Sequence, residues 1–267
     1  MTQIITEIGW NHMGDMNQAK EMIKQSKDNG ASLVKFQTWS VDRLRRGPWD
    51  DDGRIDIYNK SELTKEQHHE LFQYSEEVGI PFFTSVFSIE DGKILQSVQT
   101  KRVKIASAES RNISLIKYCD ETFDTIYLST GTSNLSEIQE SIKHIKNSEL
   151  ILLHCVSQYP LDERYSNLPK INSLKGLCNK VGYSDHTHGV EVSKISLEYN
   201  IDVIEKHFTL SNELPGRDNK FAILPHQLKE LSDYIKLRSK VNVYHGDDYL
   251  ECEKESRESM SGRFDTK

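Results

Sequence analysis

VGYSDHTHGVEVSKISLEYNIDVIEKH, residues 181–207, holds the unit from which the whole chain is built. A short apolar run, Val181-Gly182-Tyr183, ends in Ser184-Asp185-His186. A polar, periodic segment of helical length follows, and then Val203-Ile204 ends in Glu205-Lys206-His207. Short apolar runs bounded by polar residues read as buried strands. Six earlier runs have the same form: Ile4-Ile5-Thr6 ending in Glu7, Leu33-Val34 in Lys35-Phe36-Gln37, Phe82-Phe83 in Thr84-Ser85, Val103 in Lys104-Ile105-Ala106-Ser107, Ile126-Tyr127-Leu128 in Ser129, and Ile151-Leu152-Leu153 in His154. Strands alternating with helices imply parallel pairing through right-handed crossovers. Eight units in 267 residues predict an α/β chain forming a single-domain (β/α)8 TIM barrel, whose active site lies at the C-terminal strand ends.

Composition agrees with one soluble domain. The chain is 36% hydrophobic and 28% charged, with a formal charge of −7, which argues against a nucleic-acid or anionic-membrane surface. Cys119, Cys155, Cys178 and Cys252 show no CxxC spacing, and no apolar N-terminal stretch has signal length; the expected location is a reducing cytoplasm. Asp15 with Gln18, Thr64 with Gln67 and Asn134 with Glu137 read as helix caps, the first opening a helix that carries Ala19, Met22 and Ile23 on one side. The stretch from Ser40 to Ser61 is rich in Gly, Pro and charge and too irregular for a helix, and we read it as a substrate-covering lid rather than mobile surface. The barrel is expected over 1–238, and the polar segment 239–267 as a linker or a surface strap.

The strand ends carry a coherent chemistry. Lys35 and Lys104, with the hydroxyls of Ser85, Ser107, Ser129 and Ser184, suit a phosphate dianion that also bears a carboxylate. Any one of them could be structural; their collection on one face favours an anion site. His186 and His207 end adjacent strands, and two imidazoles without a thiolate suit an open Mn²⁺ or Mg²⁺ site. His188 is not needed as a third ligand, and His68, His69, His144, His226 and His245 are expected at the solvated surface. Glu7, Glu109, Asp185, Glu205 and Asp218 are acids near the rim, with Glu7 aimed at the barrel mouth as a candidate general acid or base.

Glu7-Ile8-Gly9-x-Asn11-His12-x-Gly14-Asp15, Val34-Lys35-Phe36-Gln37-Thr38, Lys104-Ile105-Ala106-Ser107-x-Glu109, Leu128-Ser129-Thr130-Gly131, Leu153-His154-Cys155 with Tyr159-Pro160, Gly182-Tyr183-Ser184-Asp185-His186-Thr187 and Ile204-Glu205-Lys206-His207-Phe208-Thr209-Leu210 together resemble the N-acetylneuraminate (sialic acid) synthase family, over nearly all of residues 4 to 235. The resemblance implies a transferase that condenses phosphoenolpyruvate (PEP) with an open-chain sugar aldehyde to give a 2-keto-3-deoxy acid and phosphate, in surface polysaccharide assembly. It implies PEP contacts at Lys35, Ser85, Lys104, Ser107, Ser129 and Ser184, with Ser157 where some members carry asparagine. It further implies a divalent metal on His186 and His207, and Glu7 positioning or deprotonating a water. Gln37, Asn59, Glu109, Tyr159 and Asp218 match positions that contact the sugar or order the site. Val86 and Ala108 depart from a common proline and glycine.

Many family members continue into a small antifreeze-like (SAF) domain that reaches the partner's site in a dimer and offers an arginine to the N-acetyl group. This chain stops at Lys267, so the expectation is an acceptor other than N-acetylmannosamine, read by the Ser40 to Ser61 loop with Arg43, Arg45 and Arg46, or else a separate domain in trans. The expected partners are PEP and a sugar aldehyde, with no nucleic acid or membrane; a homodimer and a trans domain stay open. Two other classes were weighed. A barrel metal hydrolase would want a His-x-His pair where strand one ends in Glu7-Ile8-Gly9, and an inactive binding subunit is disfavoured because both lysines, both histidines and Glu7 are present.

Overall fold

The computed structural model describes residues 1–264. Eight strands, β1 Gln3–Gly9, β2 Leu33–Thr38, β3 Phe82–Val86, β4 Arg102–Ile105, β5 Thr125–Ser129, β6 Glu149–His154, β7 Val181–Asp185 and β8 Val203–His207, pair in chain order, all parallel, and close into a barrel. Around it lie α1 Met16–Asp28, α2 Arg54–Ser61, α3 Lys65–Val78, α4 Ile89–Ser97, α5 Ile113–Thr122, α6 Leu135–Ile142, α7 Lys170–Lys175, α8 Glu191–Ser196 and α9 Pro225–Val241, followed by a short α10 Lys254–Met260. The (β/α)8 TIM barrel expected from the strand rhythm is the fold.

The two-residue pleat sorts each strand into an inner and an outer row. Ile5, Leu33, Phe83, Tyr127, Ile151, Leu153 and Val203 form an apolar cluster of their own, the lower filling of the lumen, whereas Ile4, Val34, Phe36, Phe82, Ile126 and Ile204 pack outward with the helices. The inner row therefore floors the barrel with hydrocarbon and leaves only its upper layer for polar groups.

The capping signals act with one difference. Thr64 with Gln67 and Asn134 with Glu137 form reciprocal boxes, while Asp15 accepts from the amides of Asn17 and Gln18 and the Gln18 side chain turns away to the Asn11 carbonyl, 3.0 Å off. Ala19, Met22 and Ile23 are fully buried beneath that helix.

Two expectations need correction. The Ser40 to Ser61 segment is not irregular throughout, because it contains α2. That helix has a weak amphipathic pattern and is held by tertiary contacts: Tyr58 stacks on Trp10 at 5.0 Å with Trp39 edge-on to the pair, and Gly14, at φ +81°, lets the Lys60 carbonyl come where a Cβ would sit 2.1 Å away. His68 is not at the surface; it is fully buried, hydrogen-bonded to the Thr38 hydroxyl at 2.8 Å and the Thr64 carbonyl at 2.7 Å. Every residue of the segment after α9, from Asn242 to Phe264, is exposed; residues 265–267 lie outside the described residues.

Candidate active site

The C-terminal mouth of the barrel opens into a cavity of about 670 Å³. Register and pleat decide what lines it. Glu7 stands opposite Lys35 on one side and His207 on the other, Ser85 opposite Lys104, and Ser184 opposite Glu205, all inner-row positions at the last turn of their strands. The residues between them point outward. Asp185 pairs with buried Lys206 at 3.0 Å and accepts from Thr187 and Ser193, so it braces β7 against α8 and is not a rim acid. His154 likewise turns away, its Nε2 on the Ser166 carbonyl at 2.8 Å, and Cys155 takes the lumen position of β6.

The floor is a set of buried charges that neutralise one another. Lys35 meets Glu7 at 2.5 Å and Ser85 at 2.8 Å. Lys104 donates to both oxygens of Glu205, at 2.8 and 2.7 Å, and Ser184 donates to the same carboxylate at 2.9 Å. Burial pushes Glu205 up, but Lys104, then Lys35 at 3.9 Å, overcome it and hold its pKa at about 2. Glu7 goes the other way: burial outweighs Lys35 and, with repulsion from Glu205, raises it above the ordinary carboxylate value, which suits a proton acceptor. Gln37 donates to its other oxygen at 2.6 Å. Gly9, at φ +54° beside the irregular β1 and β2 pairing, leaves room for that carboxylate, since a Cβ there would lie 3.1 Å from Glu7 Oε1.

A second wall is made of small groups. The Gly131 amide donates to Ser107 Oγ at 3.1 Å, and that oxygen lies 3.0 Å from Cys155 Sγ. A Cβ on Gly131 would stand 2.4 Å from Ser157 Oγ, 2.7 Å from Ser107 Oγ and 2.8 Å from the sulfur, so only glycine leaves this cradle of hydroxyls, completed by Ser129, open to a ligand.

The two histidines fit a metal ion. Val156 O, 2.8 Å from His186 Nδ1, can only accept, so the proton sits on Nδ1 and the Nε2 lone pair is free. His207 Nδ1 is buried without a hydrogen bond, 3.5 Å from Asp218 Oδ2. The rings are 5.6 Å apart. Burial holds His186 at about 4 and His207 well below its ordinary value, so both are neutral, the ligating form. Among the described residues no group of three His, Cys, Asp or Glu side chains converges, which leaves an open two-imidazole site. Asp218, hydrogen-bonded by Trp10 Nε1 at 2.6 Å, is pushed up to about 7 by burial despite that bond.

The cavity thus brings together Glu7, Lys35, Gln37, Ser85, Lys104, Ser107, Ser129, Ser157, Tyr159, Ser184, His186, His207 and Asp218. Two expected sugar contacts are not in it. Asn59 is exposed on the outer side of α2, whose Arg54 and Tyr58, four residues apart, face the cavity instead. Glu109 turns back to accept from Asn112 at 2.8 Å. Of the lid arginines, Arg43 pairs with Asp91, and neither Arg45 nor Arg46 lines the cavity. The clamp role of Glu205 was readable from its position two residues before His207 on the same pleat face; Trp10, Arg54, Cys155, Arg217 and Lys220 carried no local signal.

Known proteins share this architecture. The NeuB family model matches residues 22–245. N,N'-diacetyllegionaminic acid synthase of Campylobacter jejuni is 34% identical over 252 residues, covering 88% of this chain and 75% of that one. Pseudaminic acid synthase of Helicobacter pylori is 31% identical over 251 residues, 88% and 73% covered. The crystal structure of N-acetylneuraminic acid synthetase from Leptospira borgpetersenii serovar Hardjo-bovis, in complex with citrate, superposes with a TM-score of 0.87 at 31% identity over 97% of this chain and 92% of that chain. With a match that spans most of its length, the chain belongs to the NeuB family.

Proposed function

We propose that this chain is a PEP-dependent synthase, joining C3 of PEP to the aldehyde carbon of an open-chain sugar and yielding a 2-keto-3-deoxy sugar acid, of nonulosonic type, and phosphate. The observation that carries this is the pairing, in one cavity, of two buried lysines among hydroxyls with two neutral imidazoles on the adjoining strands. Lys35, Lys104 and the serines hold the phosphate and carboxylate of PEP, and the Gly131 cradle keeps that ligand dry and fixed. A divalent ion, Mn²⁺ or Mg²⁺, held by His186 and His207 would polarise the aldehyde as a Lewis acid. As the carbon–carbon bond forms, C2 of PEP becomes an oxocarbenium and the aldehyde oxygen an alkoxide, which becomes a hydroxyl by taking up the proton that the attacking water gives to Glu7. Water adds to C2, its proton passing to the Glu7 carboxylate, which Gln37 and Lys35 hold in place. Collapse then breaks the C2–O bond to phosphate, which departs with the proton of the C2 hydroxyl, and C2 is left as the ketone. Tyr159 and Asp218 flank the acceptor.

No helix among the described residues is long and apolar enough to cross a membrane, and free thiols at Cys119, Cys155, Cys178 and Cys252 suit the reducing cytoplasm we assign. The test is phosphate release from PEP by the purified chain across a panel of hexoses, N-acetylhexosamines, diamino sugars and sugar phosphates. Release with an acceptor, lost with chelator and in Lys104→Ala, supports the reading; release that continues in Lys104→Ala overturns it.

A further inference from the structure

The charge of the cavity runs against that of the protein. Five cationic side chains line it, Lys35, Lys104, Arg54, Arg217 and Lys220, against three acids, Glu7, Glu205 and Asp218, in a chain of net −7. The excess is not at the floor, where each lysine already has its carboxylate. It is at the rim. Arg54 is tied to Asp52 at 2.6 Å, but among the described residues Arg217 and Lys220 have no carboxylate within ion-pair reach of their charged ends, and both are exposed at the mouth. The three come from two separate segments, the start of α2 and the stretch after β8. Arg54 and Arg217 line the same mouth of the cavity, and Asp52, held below its ordinary value chiefly by the Arg54 hydrogen bond, feels the charge of Arg217 as well.

We propose that Arg217 and Lys220, with Arg54 beside them, form a subsite for a terminal oxyanion, a phosphate or a carboxylate, on the end of the acceptor remote from its aldehyde. This rests on the synthase reading, because it is the position of the histidines near the floor that sends the far end of an extended acceptor to the rim. Fork-shaped guanidinium groups bind such oxyanions in paired hydrogen bonds, and an ammonium adds a point charge. Neutral sugars leave those cations solvated and gain nothing from them.

The test uses open-chain probes without an aldehyde, so that binding is read apart from chemistry: glucitol, glucitol 6-phosphate and gluconate, titrated calorimetrically into the protein with and without PEP. One of the two anions should bind at least tenfold more tightly than glucitol, identifying which oxyanion the rim takes. In Arg217→Ala/Lys220→Ala, two exposed sites, that preference should fall to threefold or less while the affinity for PEP is unchanged. Equal or undetectable binding of all three probes, or a preference that survives the double substitution, overturns the subsite. Failure of PEP itself to bind counts against the synthase reading instead, and the probe comparison on the unloaded protein still decides the rim.

Discussion

Replacing Glu205 by glutamine should weaken the free protein and at the same time enlarge its response to PEP. Glu205 is buried, accepts from Lys104 at both oxygens within 2.8 Å and from Ser184 at 2.9 Å, and lies 3.9 Å from Lys35. Glu205→Gln keeps the shape and the bond to Ser184 but removes one of the two carboxylates that neutralise two buried ammonium groups. Breaking a buried pair by removing one partner costs about 3–5 kcal/mol. For a chain of this size, where each kcal/mol moves the melting temperature by about 2–4 °C, the apo Tm should fall by roughly 10 °C. PEP carries about three negative charges at neutral pH, a phosphate dianion and a carboxylate, and supplies the missing countercharge, so its stabilisation should exceed that of the wild type at equal concentration. Differential scanning calorimetry of both proteins, with and without millimolar PEP, measures both quantities. An apo Tm within about 2 °C of wild type, or a PEP shift no larger than the wild type's, would refute the internal countercharge.

Three further outcomes are expected. Gly131→Ala, at a position without positive φ, places a methyl 2.4–2.8 Å from Ser157, Ser107 and Cys155, an overpacking of about 1–3 kcal/mol; the KM for PEP should rise about tenfold with the circular dichroism spectrum unchanged, and an unchanged KM would count against the cradle. His12 is fully buried and held at about 4 by burial, against an unfolded value near 6.5, so its neutral form contributes stability above pH 6.5 that is lost as pH falls to about 4. The difference is roughly 3 kcal/mol, readable as a flatter pH dependence of urea unfolding in His12→Gln, and parallel profiles would contradict it. Chelation, or His207→Ala, should abolish phosphate release while leaving Tm nearly unchanged, because an open two-histidine site ties down little structure; release that persists after chelation would exclude the metal role.

The barrel was legible because its strands are short apolar runs ending at a common polar layer, which is also why His207 and Glu205 stood out as site candidates. Asp185 and His154 escaped that logic only because the register of β7 and β6 had to be known before inner and outer rows could be assigned. The helix α2 was invisible for a different reason: its stability lies in the stacking of Tyr58 on Trp10 and in the close approach at Gly14, contacts between residues 46 or more positions apart. His68 looked like surface because a polar residue on a polar helix gives no sign that Thr38 waits beneath it. Asn59 and Glu109 were carried across by motif position, and side-chain direction on a short helix or turn is not fixed by motif.

Trp10 touches Tyr58 of α2 on its face and Asp218 of the opposite loop through its nitrogen, and Trp39 stands edge-on to the same pair. The emission of these two indoles therefore reports on the junction between α2 and the loop that carries Asp218 at the cavity mouth. The arrival of successive substrates at that junction can be timed in a stopped-flow instrument without any dye or engineered label.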